Sequence, residues 1–486
     1  MPQGENETLN CPLLEAILRY KKEAVYPLHT PGHKGGRGMY GLLASELGSG
    51  VAMDVSLMSE LDDIHAPVSC IREAQQLAAA CYGSDRCFWS VNGTTEAVQA
   101  MLLIALNPGE KLLLPRNAHR SVAGGMILGG IRPVYLDVPL DPVFGLKLQP
   151  QPEAVEAALK NDSGIRAVLL TSPNYYGVAA QVREIAAICH AHEAVLLVDE
   201  AHGPHLGFSS LLPPSALSCG ADACAQSTHK LLGAMTQCSM LHVQGARLDL
   251  DRAASVMSML TTTSPNYLML ASLDAARAQL ASRGQKMAEA ACAAARKLRE
   301  LLKSFAGLRV LSKADLGGLE LDMTKVTVNF AAWGYTGVEA GELLRKAKVA
   351  VELVDATNVL FLVTYADLNA DYELALARIA KVLRTMEQNK RVPLVLPRPK
   401  PCPASVPAAL PRDVFYAQKK AVALEESCGR VCAEQVSFYP PGIPVLLPGE
   451  IITQAIIDYC LRMLELKLPV SGPVDSSLKS IRVADL

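Results

Sequence analysis

Residues 194–203 read A-V-L-L-V-D-E-A-H-G, and residues 225–238 read A-Q-S-T-H-K-L-L-G-A-M-T-Q-C. The first stretch is an apolar run that ends on Asp199. The second places Lys230 after Ser227, Thr228 and His229 and ahead of a small-residue turn. A carboxylate that closes an apolar strand must be compensated by a partner. A lysine with apolar and small residues on both sides sits where burial lowers the amine's pKa and makes it a competent nucleophile.

Short β-branched or leucine-rich runs flank these two stretches and alternate with longer alanine-rich ones. The strand candidates are 87–91, 111–115, 133–138, 167–171, 195–199, 223–226 and 239–243, with helical patterns at 95–106, 152–159 and 183–191. Apolar strands that are continuous rather than alternating, separated by helices, predict an α/β protein with a mainly parallel seven-stranded sheet covered on both faces. On such sheets ligands sit beyond the carboxyl ends of the strands, where Asp199 falls and Lys230 follows the next strand. Residues 267–305 read as one long helix leading into a smaller α+β unit, with strands at 326–331 and 359–364 and helices at 337–347 and 371–388. The proline-rich stretch 391–412 reads as a semi-rigid spacer. The expected division is an N-terminal segment 1–25, a large domain 26–275, a small domain 276–390, the linker 391–412 and a C-terminal domain 413–486.

The bulk properties exclude several classes. With 486 residues the chain is long enough for two or three domains with their own cores. Forty-six basic against 48 acidic residues leave a net charge of −2, which argues against nucleic acid or an anionic membrane as partner. The 13 cysteines form no C-x-x-C pair or zinc-ligand spacing, so reduced thiols and no metal are expected. The N-terminus M-P-Q-G-E-N-E-T is neither a secretory signal nor a transit peptide, and no apolar run approaches membrane-spanning length. A soluble, cytoplasmic protein is expected.

Other segments complete a constellation around Asp199 and Lys230. Val91-Asn92-Gly93-Thr94-Thr95-Glu96 lies between a strand and a helix: Gly93 permits a tight turn, and the free N–H groups of the helix start bind an anion with help from Thr94 and Thr95. Ser227 is a further phosphate ligand or a plain turn hydroxyl. His119, in P-R-N-A-H-R-S, is read as stacking on a ring, against the default of a surface-loop histidine. Ala201 offers a small flat contact, His202 a hydrogen bond to a ring hydroxyl or simple packing, and His229 a contact to phosphate or to a substrate carboxylate. An amine for a Schiff base and a carboxylate for a protonated ring nitrogen are what pyridoxal 5'-phosphate requires of a protein. The carboxylate's alternatives are a salt bridge or a helix cap.

In sequence the chain resembles the prokaryotic-type ornithine/lysine/arginine decarboxylases of the aspartate-aminotransferase fold, the type I fold of pyridoxal-phosphate enzymes. The resemblance rests on T-P-G-H-K-G-G at 30–36, N-G-T-T at 92–95, R-N-A-H-R-S at 116–121, T-S-P-N-Y-Y-G at 171–177 and D-E-A-H-G at 199–203. It continues with S-T-H-K-L-L-G-A-M-T-Q at 227–237, T-T-S-P-N-Y at 262–267 and Y-P-P-G-I-P-V-L-L-P-G-E at 439–450. It implies a Schiff base on Lys230, pyridinium pairing by Asp199, stacking by His119 and phosphate contacts from Thr94, Thr95 and Ser227. It implies an obligate homodimer, or a higher oligomer built on it, with Thr263 and Ser264 reaching the partner's phosphate, and it makes Glu450 a candidate partner for a cationic side chain. Glu200, Glu352 and Asp355 are the other acidic candidates.

Three departures stand out. About thirty residues precede the T-P-G-H-K motif, so the wing domain of the long members, and with it their decameric assembly, is not expected. Histidine stands in D-E-A-H-G where long forms carry D-S-A-W, and Cys238 stands where a smaller residue is common. The implied reaction is α-decarboxylation of a basic amino acid. Arginine leads, giving agmatine for polyamine synthesis, with lysine second and ornithine third. The competing readings are an enzyme similar to the α-oxoamine synthases and an inactive regulatory homologue.

Overall fold

The computed structural model describes residues 9–395, 403, 406–438, 444–466 and 468–486. The large domain is organised by a seven-stranded sheet in the order Arg86–Ser90, Ser239–Val243, Ala223–Gln226, Val195–Asp199, Ile165–Thr171, Lys111–Pro115, Arg132–Leu136. The four pairings from Ala223–Gln226 to Arg132–Leu136 are parallel, and Ser239–Val243 runs antiparallel to both its neighbours. All seven expected strands form, the third of them over 132–136 rather than 133–138.

The apolar runs are continuous because both faces are covered. Successive side chains of a strand point to opposite faces. Leu197 and Leu169 therefore pack with Ala97 and Met101 of the helix Gly93–Ala105, whereas Leu196, Val198 and Val168 pack with Ile185 and Leu159 on the other side. Burial of the whole strand Val195–Asp199 carries the Asp199 carboxylate into the interior at its end. In register it lies beside Thr171 and Ala225.

The helix Tyr267–Lys303 leads out of this domain, capped by the Asn266 side chain, which accepts the Met269 N–H at 3.0 Å. At about 1.5 Å per residue it is about 55 Å long. It delivers the chain to a four-stranded antiparallel sheet ordered Leu353–Val354, Asn358–Leu362, Lys325–Asn329, Arg309–Val310. Helices Gly337–Lys346 and Ala370–Gln388 cover it around Phe330, Trp333, Leu344 and Leu383. The middle of the proline-rich stretch lies outside the described residues. Its described ends are tied down: the Leu394 N–H donates to the Ala331 carbonyl at 2.8 Å and the Ala408 N–H to that of Gly449, also at 2.8 Å.

The C-terminal part packs helix Gln454–Glu465 on strands Val436–Phe438 and Pro444–Leu446 through Ile456, Ile457 and Cys460. The first five residues of the Y-P-P-G-I-P block lie outside the described residues. Among the described residues, no helix is long and apolar enough to cross a membrane.

Long helix and small domain are joined by Arg299, which is nearly buried and donates to the carbonyls of Met323 at 3.0 Å, Leu311 at 2.6 Å and Lys325 at 2.7 Å. Arg299→Met leaves three buried carbonyls without these donors, at a cost of roughly 3 kcal/mol or more. In a Trp89→Phe background, urea unfolding followed by Trp333 fluorescence should show the midpoint falling clearly. An unchanged midpoint contradicts this role.

Candidate active site

The carboxyl ends of the parallel strands open on one cavity of about 1260 Å³, lined among others by Gly93, Thr94, Thr95, His119, Asp199, Ala201, His202, Ser227, His229 and Lys230. The predicted cofactor-binding set from the large domain, apart from Thr263 and Ser264, is thus brought to one place. At one end, Gly93 takes φ +74° and opens the helix Gly93–Ala105, its own N–H donating to the Gln237 carbonyl at 2.8 Å. Thr94 Oγ1 contacts Ser227 Oγ and lies 2.9 Å from Ser239 Oγ, so hydroxyls from three elements converge beside a helix N-terminus. Such an arrangement can receive an anion. Glu96 is buried just behind it, accepting from Ser90 Oγ and from Thr261 Oγ1 at 2.7 Å.

At the other end Asp199 is buried and accepts the Ala201 N–H at 3.2 Å. Burial pushes its carboxyl up from the ordinary value, while His119, the Ala201 N–H and Lys230 pull it back. A cationic partner is what this carboxylate lacks. His119 caps the helix Arg120–Gly129: its Nδ1 accepts the Ser121 N–H at 3.2 Å, which places the ring proton on Nε2. Burial lowers the His119 pKa, so the imidazole is neutral at pH 7.

Lys230 lies in the short helix Thr228–Leu231, and its Nζ is 3.0 Å from His202 Nε2. Desolvation lowers the amine's pKa, against the pull of Asp199 and Glu352, as a nucleophile needs. His229 is fixed through Nδ1, 2.8 Å from the Cys238 carbonyl, so Nδ1 carries the proton and Nε2 is the basic nitrogen. Tyr175, from T-S-P-N-Y-Y-G, packs its ring 4.6 Å from that of His202.

The acidic candidates separate clearly. Glu200 points away from the cavity: its oxygens take the Gln226 amide and the Ala216 N–H, both at 2.7 Å, and burial raises its pKa to about 7. Asp355 borders the cavity but is spent on its own turn, accepting the Thr357 and Asn358 N–H groups, the Asn358 amide at 2.8 Å and the Tyr176 hydroxyl at 2.8 Å. Glu450 is nearly buried, and Arg116 binds it through both terminal nitrogens, at 2.6 and 2.8 Å. Within this chain it therefore clamps the C-terminal domain onto the His119 loop and is not available to hold a substrate cation. Glu352 is exposed and does not itself line the cavity; it accepts the hydroxyl of Tyr175, which does, at 2.6 Å, and acts electrostatically on Lys230. Thr263 and Ser264 are exposed and do not border the cavity.

Reading the sequence missed Ser239, Tyr175, Arg116 and, above all, Lys325. The Lys325 side chain is fully buried, with Nζ 2.8 Å from His202 Nδ1.

The donor set fits pyridoxal phosphate: a helix start and hydroxyls for phosphate, an uncompensated buried carboxylate for the ring nitrogen, a neutral histidine, and a desolvated amine. Comparison with known proteins agrees. The family model for the Orn/Lys/Arg decarboxylase major domain matches residues 11–317, and that for the Orn/Lys/Arg decarboxylase C-terminal domain matches 394–469. The chain is 37% identical over 481 residues to the arginine decarboxylase of Halalkalibacterium halodurans, covering 97% of both chains. It is 37% identical over 482 residues to that of Bacillus anthracis, again covering 97% of both. The solved lysine decarboxylase of Francisella novicida superposes with a TM-score of 0.79 at 22% identity, over 98% of this chain and 82% of that one, a likeness of fold. With both domain models matched in order around a site built for their cofactor, the chain belongs to the ornithine/lysine/arginine decarboxylases, pyridoxal-phosphate enzymes of fold type I.

Proposed function

We propose that the protein decarboxylates arginine to agmatine and carbon dioxide, a step that supplies polyamine synthesis, and that it does so in the cytoplasm. The single observation that carries the substrate is the near end-to-end similarity to curated arginine decarboxylases at 37% identity. The domain division expected from the sequence is retained in this reading.

Each residue's task follows from its place. Gly93, Thr94, Thr95 and Ser227 would hold the phosphate, Asp199 would pair with a protonated ring nitrogen, and neutral His119 and Ala201 would lie beside the ring. Pyridoxal phosphate, when bound, supplies the electron sink for the pair left as the Cα–carboxylate bond breaks. Lys230 is the amine to which it would be joined. The site's contribution is orientation and a fixed electrostatic setting. Lys230 or His229 then returns a proton to Cα, Lys230 being the stronger candidate because His229 holds its proton on Nδ1 against a carbonyl.

Glu352 is the acidic group assigned to a distal guanidinium, because it holds the hydroxyl of the cavity-lining Tyr175 and acts electrostatically on Lys230. The site is proposed to be completed by a second copy of the chain. Tyr26, Leu28, Tyr40 and Leu42 are strongly exposed, Leu28 at 89%, in the segment on either side of T-P-G-H-K. An apolar surface of that kind marks an interface. Thr263 and Ser264 are exposed on a loop that the Glu96–Thr261 hydrogen bond anchors, as delivery to a partner requires.

Purified protein with pyridoxal phosphate should release carbon dioxide from arginine at a much higher kcat/KM than from lysine or ornithine, with agmatine as product. Preference for lysine overturns the substrate, and turnover of none of the three overturns the reading. Glu352→Gln should raise KM for arginine about tenfold, the loss of roughly 1.4 kcal/mol from one charge-assisted contact, with kcat changed far less. An unchanged KM removes Glu352 from the substrate site.

A further inference from the structure

Glu96 has no task in the decarboxylation account, yet its side chain is almost wholly buried and forms no ion pair among the described residues. Holding a carboxylate inside a fold without a counter-charge is costly, and its partners say what it does there. One oxygen takes the hydroxyl of Ser90, the other that of Thr261 at 2.7 Å. Glu96 does not border the cavity, and neither do Ser90 and Thr261.

Both partners stand at the ends of elements. Ser90 closes the strand Arg86–Ser90, and its Oγ also accepts the Asn92 N–H at 3.1 Å across the turn that leads into the helix Gly93–Ala105. Thr261 ends the helix Leu250–Leu260, its N–H donating to the Met257 carbonyl at 3.0 Å. Glu96 lies in the first turn of the helix Gly93–Ala105 and closes a ring. Strand end, turn and helix start are joined through one hydroxyl, and that unit is tied to a second helix through another. The turn forms one end of the cavity. Gly93 takes φ +74° there and, as a glycine, has no side chain to hold that conformation. The first N–H groups of a helix find no partner within it, and the cap residue Asn92 gives them no side-chain hydrogen bond. Their direction is set by the turn, which Ser90 and Glu96 hold from behind and the Gly93 N–H, 2.8 Å from the Gln237 carbonyl, holds in front.

We propose that Glu96 is a positioning residue for the cofactor's phosphate. By fixing Ser90 and Thr261 it keeps the Asn92–Gly93 turn in the form that aims the free N–H groups and the Thr94 hydroxyl, with Ser227 in contact, at one point. The inference rests on the reading that this end of the cavity takes phosphate. It goes beyond that reading by naming a group that acts there without touching cofactor or substrate.

The test compares pyridoxal 5'-phosphate with pyridoxal, which lacks the phosphate, as ligands of the apoprotein, through dissociation constants read from the visible absorbance of the bound aldehyde. Both would join Lys230, so a variant that merely loosens the fold weakens both alike and leaves their ratio unchanged. In Glu96→Ala the preference for the phosphorylated ligand should fall about tenfold, the scale of one or two net hydrogen bonds. Glu96→Gln still offers an oxygen to one hydroxyl and an amide to the other, and should keep most of the preference. Thr261→Val should lower it, and less so in the Glu96→Ala background, because the two residues act through one contact. An unchanged ratio in Glu96→Ala overturns the proposal, whatever happens to the melting temperature. If Glu96→Ala does not fold, Ser90→Ala and Thr261→Val decide, and an unchanged ratio in both overturns it. Thr94→Ala separates the inference from the reading beneath it. A wild-type protein with no preference for the phosphorylated ligand, or a preference untouched in Thr94→Ala, removes the phosphate site and the inference with it. A preference lost in Thr94→Ala but kept in Glu96→Ala removes the inference alone.

Discussion

Asp199 carries a charge that the fold can place but cannot neutralise. Five consecutive buried residues draw its carboxylate into the end of a sheet covered on both faces, where, among the described residues, the Ala201 N–H reaches it within hydrogen-bond distance. Leaving an ionised carboxylate unpaired in such surroundings is costly. The groups facing it across the cavity, His119 and Lys230, are themselves driven toward their neutral forms by burial. The site would therefore accept one cation at a defined position, and in the proposed reading a protonated pyridine ring is that cation.

The rest of the architecture serves that position. The sheet brings strand ends, a helix start and the hydroxyls of Thr94 and Ser227 to one cavity, with Ser239 buried behind them. The small domain closes over it through Lys325 and the turn at Asp355. The C-terminal domain is fastened to the His119 loop by the Arg116–Glu450 pair, a contact between residues 334 positions apart. Removing either partner of such a buried pair leaves the other uncompensated, so this clamp couples the outer domain to the loop that carries His119 at the cavity.

Much of this was legible in the sequence because it is local. A five-residue apolar run ending in aspartate, a lysine among small residues, and a glycine between strand and helix each carry their own signal, and all seven strands of the large sheet were found from composition alone. What was not legible depends on distant partners. Glu450 and Asp355 read as free acids until Arg116, Tyr176 and their own turns claimed them. Lys325 was missed because the strand was expected to begin at Val326, which left the lysine outside as an ordinary loop charge; the run L-D-M-T-K-V-T-V gives no sign that the lysine faces inward. His205 and Asp322 pair across more than a hundred residues and had no periodicity to betray them.

The central claim is that one amine, chosen by burial and by the opposing carboxylate, bonds the cofactor. Borohydride reduction of the protein saturated with pyridoxal phosphate, followed by peptide mapping, tests it directly. The account expects a single label per chain, on Lys230. A label on Lys325 or any other lysine, or no label at all, would contradict it.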